Sequence, residues 1–405
     1  MDSRRHFLGK VASGLAGTLA SVPARALGAN DRIRVGIAGA GDRGLELIHQ
    51  IRMCPGAEVG AIADVYNRRL EKAASFIPSA TLATDYRAML DDASLDAIVI
   101  ATPTHLHAEQ FCAAIEAGKH IYLEKTLALN IAQANRMRTA FEASGGKLTV
   151  QVGHQSCSFG QLDDVRQFLA QPARMGRVSA IHMRNFRNTP HGKPQWARPA
   201  LLTADLHPRN IAWEAFEATD AKRAFDANRF VHWRYYWDYS GGGVNEHMSQ
   251  QLVFWHKALR LEIPESATMT GGLYVWDDGR ETPDTMDISF AQPEKMLITW
   301  SSGFGNNQLG VSEDVLGSAG TISRSNQVRY IPQKINNPAG TEMTGRATHA
   351  PHVHMQNFFD SIRTSREPNC PFELGYRVSV ACSMAVESYR QSRTVRWNAA
   401  SREIV

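Results

Sequence analysis

The chain has 405 residues, of which 43% are hydrophobic and 21% charged, and a formal net charge of +4. That balance is ordinary for a globular protein with more than one core, and it excludes collagen-like, low-complexity and wholly disordered chains. No stretch is apolar for long enough to span a bilayer, so membrane insertion is not expected.

The first predicted element is a targeting segment at residues 1–26. Arg4-Arg5 opens it, a mildly apolar run from Val11 to Val22 follows, and Ala24-Arg25-Ala26 makes a small-residue exit. This resembles a twin-arginine export signal, so the expected location is periplasmic or secreted. Removing it takes away Arg4, Arg5, Lys10 and Arg25 against Asp2, and the net charge falls to +1. A nearly neutral mature chain gives no support for nucleic acid as a partner. Cys54, Cys112, Cys157, Cys370 and Cys382 are odd in number and form no CxxC, which argues against a disulfide framework.

The next elements form a strand, a tight turn and a helix. Ile33, Val35 and Ile37 alternate, then run into Gly39-Ala40-Gly41-Asp42-Arg43-Gly44 and the helical Leu45-Glu46-Leu47-Ile48. Gly39 allows the sharp turn, Gly41 lets a pyrophosphate approach the backbone, and Gly44 lets the helix lie close to the strand. First-turn amides and the helix dipole then favour phosphate. Asp64 ends the second apolar run, twenty residues past Gly44, where a carboxylate accepts the ribose hydroxyls of NAD. Arg68 and Arg69 keep the 2′-phosphorylated form, NADP, in play.

Strands and helices then alternate to Val152: strand-like Leu95–Ala101 and Lys119–Leu123, helical Ala108–Ala117 and Ile131–Ala143, and strand-like Lys147–Val152. This pattern predicts an N-terminal Rossmann doubly wound parallel sheet over residues 31–153. Thr102-Pro103 with His107, Glu124-Lys125 and His154 all fall after strand ends, on the edge where such sheets bind ligands. Residues 154–405 read differently. Runs at Val178–Phe186, Ala267–Trp276, Met286–Phe290, Met296–Trp300 and Thr321–Pro332 are joined by turns, which favours a C-terminal α+β domain with a large, mostly antiparallel open sheet. Asn188–Trp237 is long, irregular and rich in Trp, Arg and Pro. Met355–Arg363 and Glu373–Gln391 read as helices, the second long enough to pack back on the first domain.

Together the glycine turn, Ala101-Thr102-Pro103 with His107, Glu124-Lys125, Gly241-Gly242-Gly243-Val244-Asn245-Glu246 and Gly317-Ser318-Ala319-Gly320 resemble the Gfo/Idh/MocA family of nicotinamide-dependent oxidoreductases. The resemblance implies a sugar, cyclitol or related polyol as substrate and a homo-oligomer built through the C-terminal sheet. It also implies that Lys125 bridges cofactor and substrate, although the family pattern continues with proline where this chain has Thr126. On the helix after Gly243 the family places an aspartate and, four residues on, a histidine; here those positions hold Glu246 and Gln250. Glutamine accepts no proton. His247 on a regular helix would point about 100° away, which leaves His232, Tyr235, Tyr236 or Lys125 alone as rival bases. Some family members retain NAD and cleave glycosides by oxidation, elimination and re-reduction, a second reading; a non-catalytic sugar-binding protein is a third.

Two further clusters weigh less. His349, His352 and His354 form HxxHxH without an acidic partner, so no metal site is assigned. Trp233, Tyr235, Tyr236 and Trp237 suit either sugar stacking or packing.

Overall fold

Hydrophobic alternation places β1 (Ile33–Ala38) at the centre of a six-stranded parallel sheet. With β2 (Ala57–Ala63), β3 (Thr81–Ala83), β4 (Ala97–Ile100), β5 (His120–Leu123) and β6 (Val150–Val152), its order is β3-β2-β1-β4-β5-β6. The order reverses between β1 and β4, and a ligand crevice opens at that point, outside the carboxyl ends of the strands. The computed structural model describes residues 32–188, 194–219, 221–333, 342–344 and 350–405. The predicted signal segment and His349 lie outside the described residues.

The second sheet has ten strands, β7 (Val178–Phe186), β8 (Ser266–Gly272), β9 (Thr285–Gln292), β10 (Met296–Gly303), β11 (Val311–Gly317), β12 (Gly320–Arg324), β13 (Val328–Pro332), β14 (Glu342–Thr344), β15 (Val395–Asn398) and β16 (Glu403–Ile404). Their order is β14-β13-β12-β11-β7-β10-β9-β8-β15-β16, antiparallel except where β7 runs parallel to β10. Two expectations need correction, and one strand was missed. The run Thr321–Pro332 is the hairpin β12–β13, and the run from Ala267 stops at Gly272. The strand β11 escaped the pattern because Ser312, Glu313 and Asp314 look like a polar loop, whereas Glu313 is buried against Arg324.

A single apolar cluster contains Leu123 and Val152 from the first sheet together with Phe290, Ile298 and Trp300 from the second. Helix Phe372–Gln391 crosses the join: Tyr376 Oη donates to Asn135 Oδ1 at 2.7 Å, and the Arg138 guanidinium lies 4.6 Å from the Tyr376 ring centre. Helix His352–Thr364 adds Met355, Phe358 and Phe359 to the core on the other side of β1. The irregular segment is not wholly irregular, since it contains short helices at Trp213–Glu217 and Ala227–Val231. Its Ile211, Phe216 and Phe230 pack with Tyr66, the second residue after Asp64.

Candidate active site

The glycine turn is built as its spacing predicts. Gly39 has φ +95°, and a Cβ there would lie 2.9 Å from the Ala101 backbone. A Cβ on Gly44 would lie 1.9 Å from the Gly39 carbonyl oxygen, so only glycine lets helix Asp42–Arg52 start this close to the strand. Gly41 faces open space, with nothing nearer to an added Cβ than Arg69 at 4.0 Å. Among the described residues no side chain caps the helix, and Gly41, Asp42 and Arg43 line a crevice of about 930 Å³. That combination of close packing behind, open space in front and uncapped amides fits a dinucleotide pyrophosphate.

Asp64 accepts from the amides of Ala40 (2.7 Å) and Tyr66 (2.9 Å), and with Gly41, Tyr86 and Phe216 it lines an adjoining space of about 240 Å³. Arg68 is paired with Asp205 at 3.1 Å, and Arg69 lies 3.8 Å from Asp64 and 4.8 Å from the centre of the Phe230 ring.

Thr102, Pro103, Glu124, Lys125 and His154 all line the larger crevice. Glu124 pairs with the Arg43 guanidinium of the glycine turn at 2.7 Å rather than with the Lys125 ammonium, and its other oxygen accepts from the Lys125 amide at 3.3 Å. His107 is a correction. It lies behind the turn, fully buried, with Nδ1 2.9 Å from the Thr126 carbonyl and Nε2 3.0 Å from that of Thr102. It braces the two loops and does not line the crevice.

The segment after Gly243 is the larger departure. Val244–Met248 forms a π-helical turn before the α-helix Ser249–Leu259. Such wide turns often mark functional sites, and here the change of pitch brings Glu246 and His247 both to the crevice wall, contrary to the 100° separation expected of a regular helix. Thr126 Oγ1 donates to the Asn245 carbonyl at 2.8 Å, fastening this turn to the end of β5. Lys125 Nζ is 2.9 Å from Glu246 Oε2, and Arg234 Nε is 3.3 Å from the same oxygen. Gln250 lines the crevice, but its Nε2 donates to the Glu246 carbonyl at 2.7 Å. The rival bases of the irregular segment are elsewhere: His232 accepts from the Arg198 amide, and neither it nor Tyr235 nor Tyr236 lines the crevice.

Electrostatics separate the roles. Burial alone would raise the Glu246 pKa, but Arg234 and Lys125 outweigh it and hold the carboxyl well below its usual range. His247 and His154 are buried; burial first, then nearby cations, pushes each imidazole down to about 3. Both rings are therefore neutral at pH 7. Among the described residues both nitrogens of His154 and Nε2 of His247 have no partner, and both residues line the crevice. His352 and His354 form no metal cluster among the described residues, and His354 is already bonded to Ser158 and the Val152 carbonyl.

These features define an NAD-binding Rossmann domain joined to an open-sheet region. Residues 33–154 match the Gfo/Idh/MocA oxidoreductase family, NAD-binding Rossmann fold. Inositol 2-dehydrogenase 4 of Saccharopolyspora erythraea is 35% identical over 154 residues, 38% of this chain and 45% of that protein. A glycosyl hydrolase family 109 protein of Shewanella sp. is 33% identical over 110 residues, 25% of this chain and 24% of that protein. The chain thus spans under half the length of these curated relatives. The crystal structure of the WlbA dehydrogenase from Bordetella pertussis, in complex with NADH and UDP-GlcNAcA, shares the fold over 91% of this chain and 99% of that one, with TM-score 0.67 and 20% identity.

Proposed function

We propose that the protein is an NAD-dependent oxidoreductase acting on a sugar, cyclitol or related polyol. The observation that carries this is the meeting of Lys125 and Glu246 in the same crevice as the uncapped, glycine-opened helix. NAD, when bound, supplies the hydride acceptor or donor. Gly41, Asp42 and Arg43 would hold its pyrophosphate and Asp64 its adenosine ribose. Lys125 is placed to donate a hydrogen bond to a substrate hydroxyl, and Glu246 keeps its ammonium aimed. Among the described residues His247 Nε2 is a neutral, unpartnered nitrogen on the same wall; its lowered pKa makes it a weak base toward a resting hydroxyl, so it accepts that hydroxyl's hydrogen bond and takes the proton as the hydride departs and the oxygen acidifies. Gln250 cannot serve, since an amide is not a base.

A second reading, redox-neutral glycoside cleavage with retained NAD, is favoured by one feature. The segment after Asp205 is laid across the adenosine side of the crevice. Tyr66 Oη bonds Asp205, the Ala212 amide donates to the Val65 carbonyl at 2.8 Å, and His105 Nε2 is 2.7 Å from the Phe216 carbonyl. Such a strap slows release of a bound dinucleotide. Export through residues 1–26 and assembly of copies through the exposed face of the ten-stranded sheet complete the proposal; the paired arginines and the open sheet support them.

The test is turnover of a panel of polyols and glycosides with nucleotide content followed in parallel. Stoichiometric NADH supports dehydrogenation, and cleavage without NADH supports the second reading. Sugar binding with no turnover, unchanged in Lys125→Ala, supports a non-catalytic protein.

A further inference from the structure

Beyond Lys125 the crevice reaches the end of β7 in the second sheet. Arg187 follows the last residue of that strand. Its backbone amide donates to the Gly303 carbonyl at 2.9 Å and its Nε donates to the buried Asn185 Oδ1 at 2.8 Å, so the main chain is fixed and the guanidinium is anchored at Nε.

Seven arginines line the crevice. Six have a carboxylate within 4.0 Å, including Arg234 with Glu246, Arg43 with Glu124 and Arg324 with Glu313. Among the described residues Arg187 has none. Burial lowers its pKa, and no neighbouring acid offsets the loss. The Arg187 guanidinium is exposed to the crevice with its terminal nitrogens turned to no carboxylate among the described residues, and its planar fork fits an oxyanion better than any other ligand. The neighbourhood repeats the imbalance. Lys125 and Arg234 share the single carboxylate of Glu246, Arg187 lies on the same crevice, and the two imidazoles beside them are neutral. Arg187 is also close enough to His247 for its charge to depress that ring. A neutral polyol would leave this surplus of cation unanswered.

We propose that the substrate is an acidic sugar whose oxyanion, a carboxylate or a phosphate, binds Arg187 while the reacting hydroxyl lies at Lys125 and His247. The inference rests on the crevice being a sugar site, and it adds the charge of that sugar.

The test is calorimetric titration of the NAD-supplied protein with matched neutral and anionic sugars: glucose, glucuronate and glucose 6-phosphate, and the corresponding galactose set. Wild type, Arg187→Gln and Arg187→Lys are compared, and bound nucleotide is measured separately by native mass spectrometry. At least one anion is expected to bind about 10-fold or more tightly than its neutral partner. Arg187→Gln should remove that preference, and Arg187→Lys should restore part of it, with nucleotide content unchanged. Preference for glucuronate over glucose 6-phosphate identifies a carboxylate, and the reverse a phosphate. Equal binding of neutral and anionic sugars, binding of neither anion, or equal weakening of both classes by Arg187→Gln overturns the proposal. If anion preference persists in a protein that takes up no nucleotide, the oxidoreductase reading fails and the anion site stands.

Discussion

Lys125 at the end of β5 and Glu246 on the π-helical turn are 2.9 Å apart, although 121 positions separate them in the chain. The pair links the nucleotide-binding edge of one sheet to the region carrying the other, and Arg234 shares its carboxylate.

Lys125→Ala should therefore lower kcat/KM on the order of 10²–10⁴-fold, the range typical of losing a positioned proton-handling group. Nucleotide content should be unchanged, because the glycine turn does not depend on this side chain. Steady-state kinetics with a bound-nucleotide assay on the same preparation checks both halves.

His247→Gln tests the base assignment. Turnover should drop while sugar affinity changes little, since the amide keeps hydrogen-bonding capacity but takes no proton. If Gln250→Ala had the larger effect on kcat, the role given to His247 would be wrong.

Stability should fall on acidification. His154 and His247 titrate near 3 when folded, against an unfolded value near 6.5, so below about pH 6.5 the unfolded chain binds more protons. The stability is full above that pH and is lost progressively from about pH 6.5 toward 3. Glu246 is depressed when folded, so its contribution is present above the ordinary carboxylate range and disappears at lower pH still. Each buried histidine adds a slope of up to about 1.4 kcal/mol per pH unit. Denaturant melts between pH 4 and 8 should show this slope, reduced in His154→Gln.

The two glycines of the turn should separate packing from ligand binding. Gly44→Ala drives a methyl into the Gly39 carbonyl and should cost about 1–3 kcal/mol or more. Gly41→Val should leave the melting temperature nearly unchanged but abolish nucleotide uptake, because its side chain enters open crevice.

The parallel sheet was legible because three of its six strands run within two residues into a residue whose chemistry shows in the local sequence: Gly39 after β1, Asp64 after β2, Lys125 after β5. The spacing of the glycines is a short-range constraint, and the chain within a few residues satisfies it. The other wall of the site was harder to read. Glu246 and His247 share the crevice only because the helix widens, and no periodicity of the sequence signals a π-helical turn. His107 shows the opposite error: a polar residue at the binding edge was spent on bracing two carbonyls. Arg187 stood just outside the segment singled out for its aromatics, and its significance depends on carboxylates absent from its surroundings, which only a folded structure displays. The role of Phe216 and Phe230 as cover for Tyr66 was equally hidden, since those contacts join residues about 150 positions apart.

Native mass spectrometry of the wild-type protein and Gly41→Val, each equilibrated with saturating NAD, tests the central claim most directly. One dinucleotide per wild-type subunit and none in the variant is the expected result. A wild-type subunit that takes up no nucleotide, or a variant that retains it undiminished, would contradict the account.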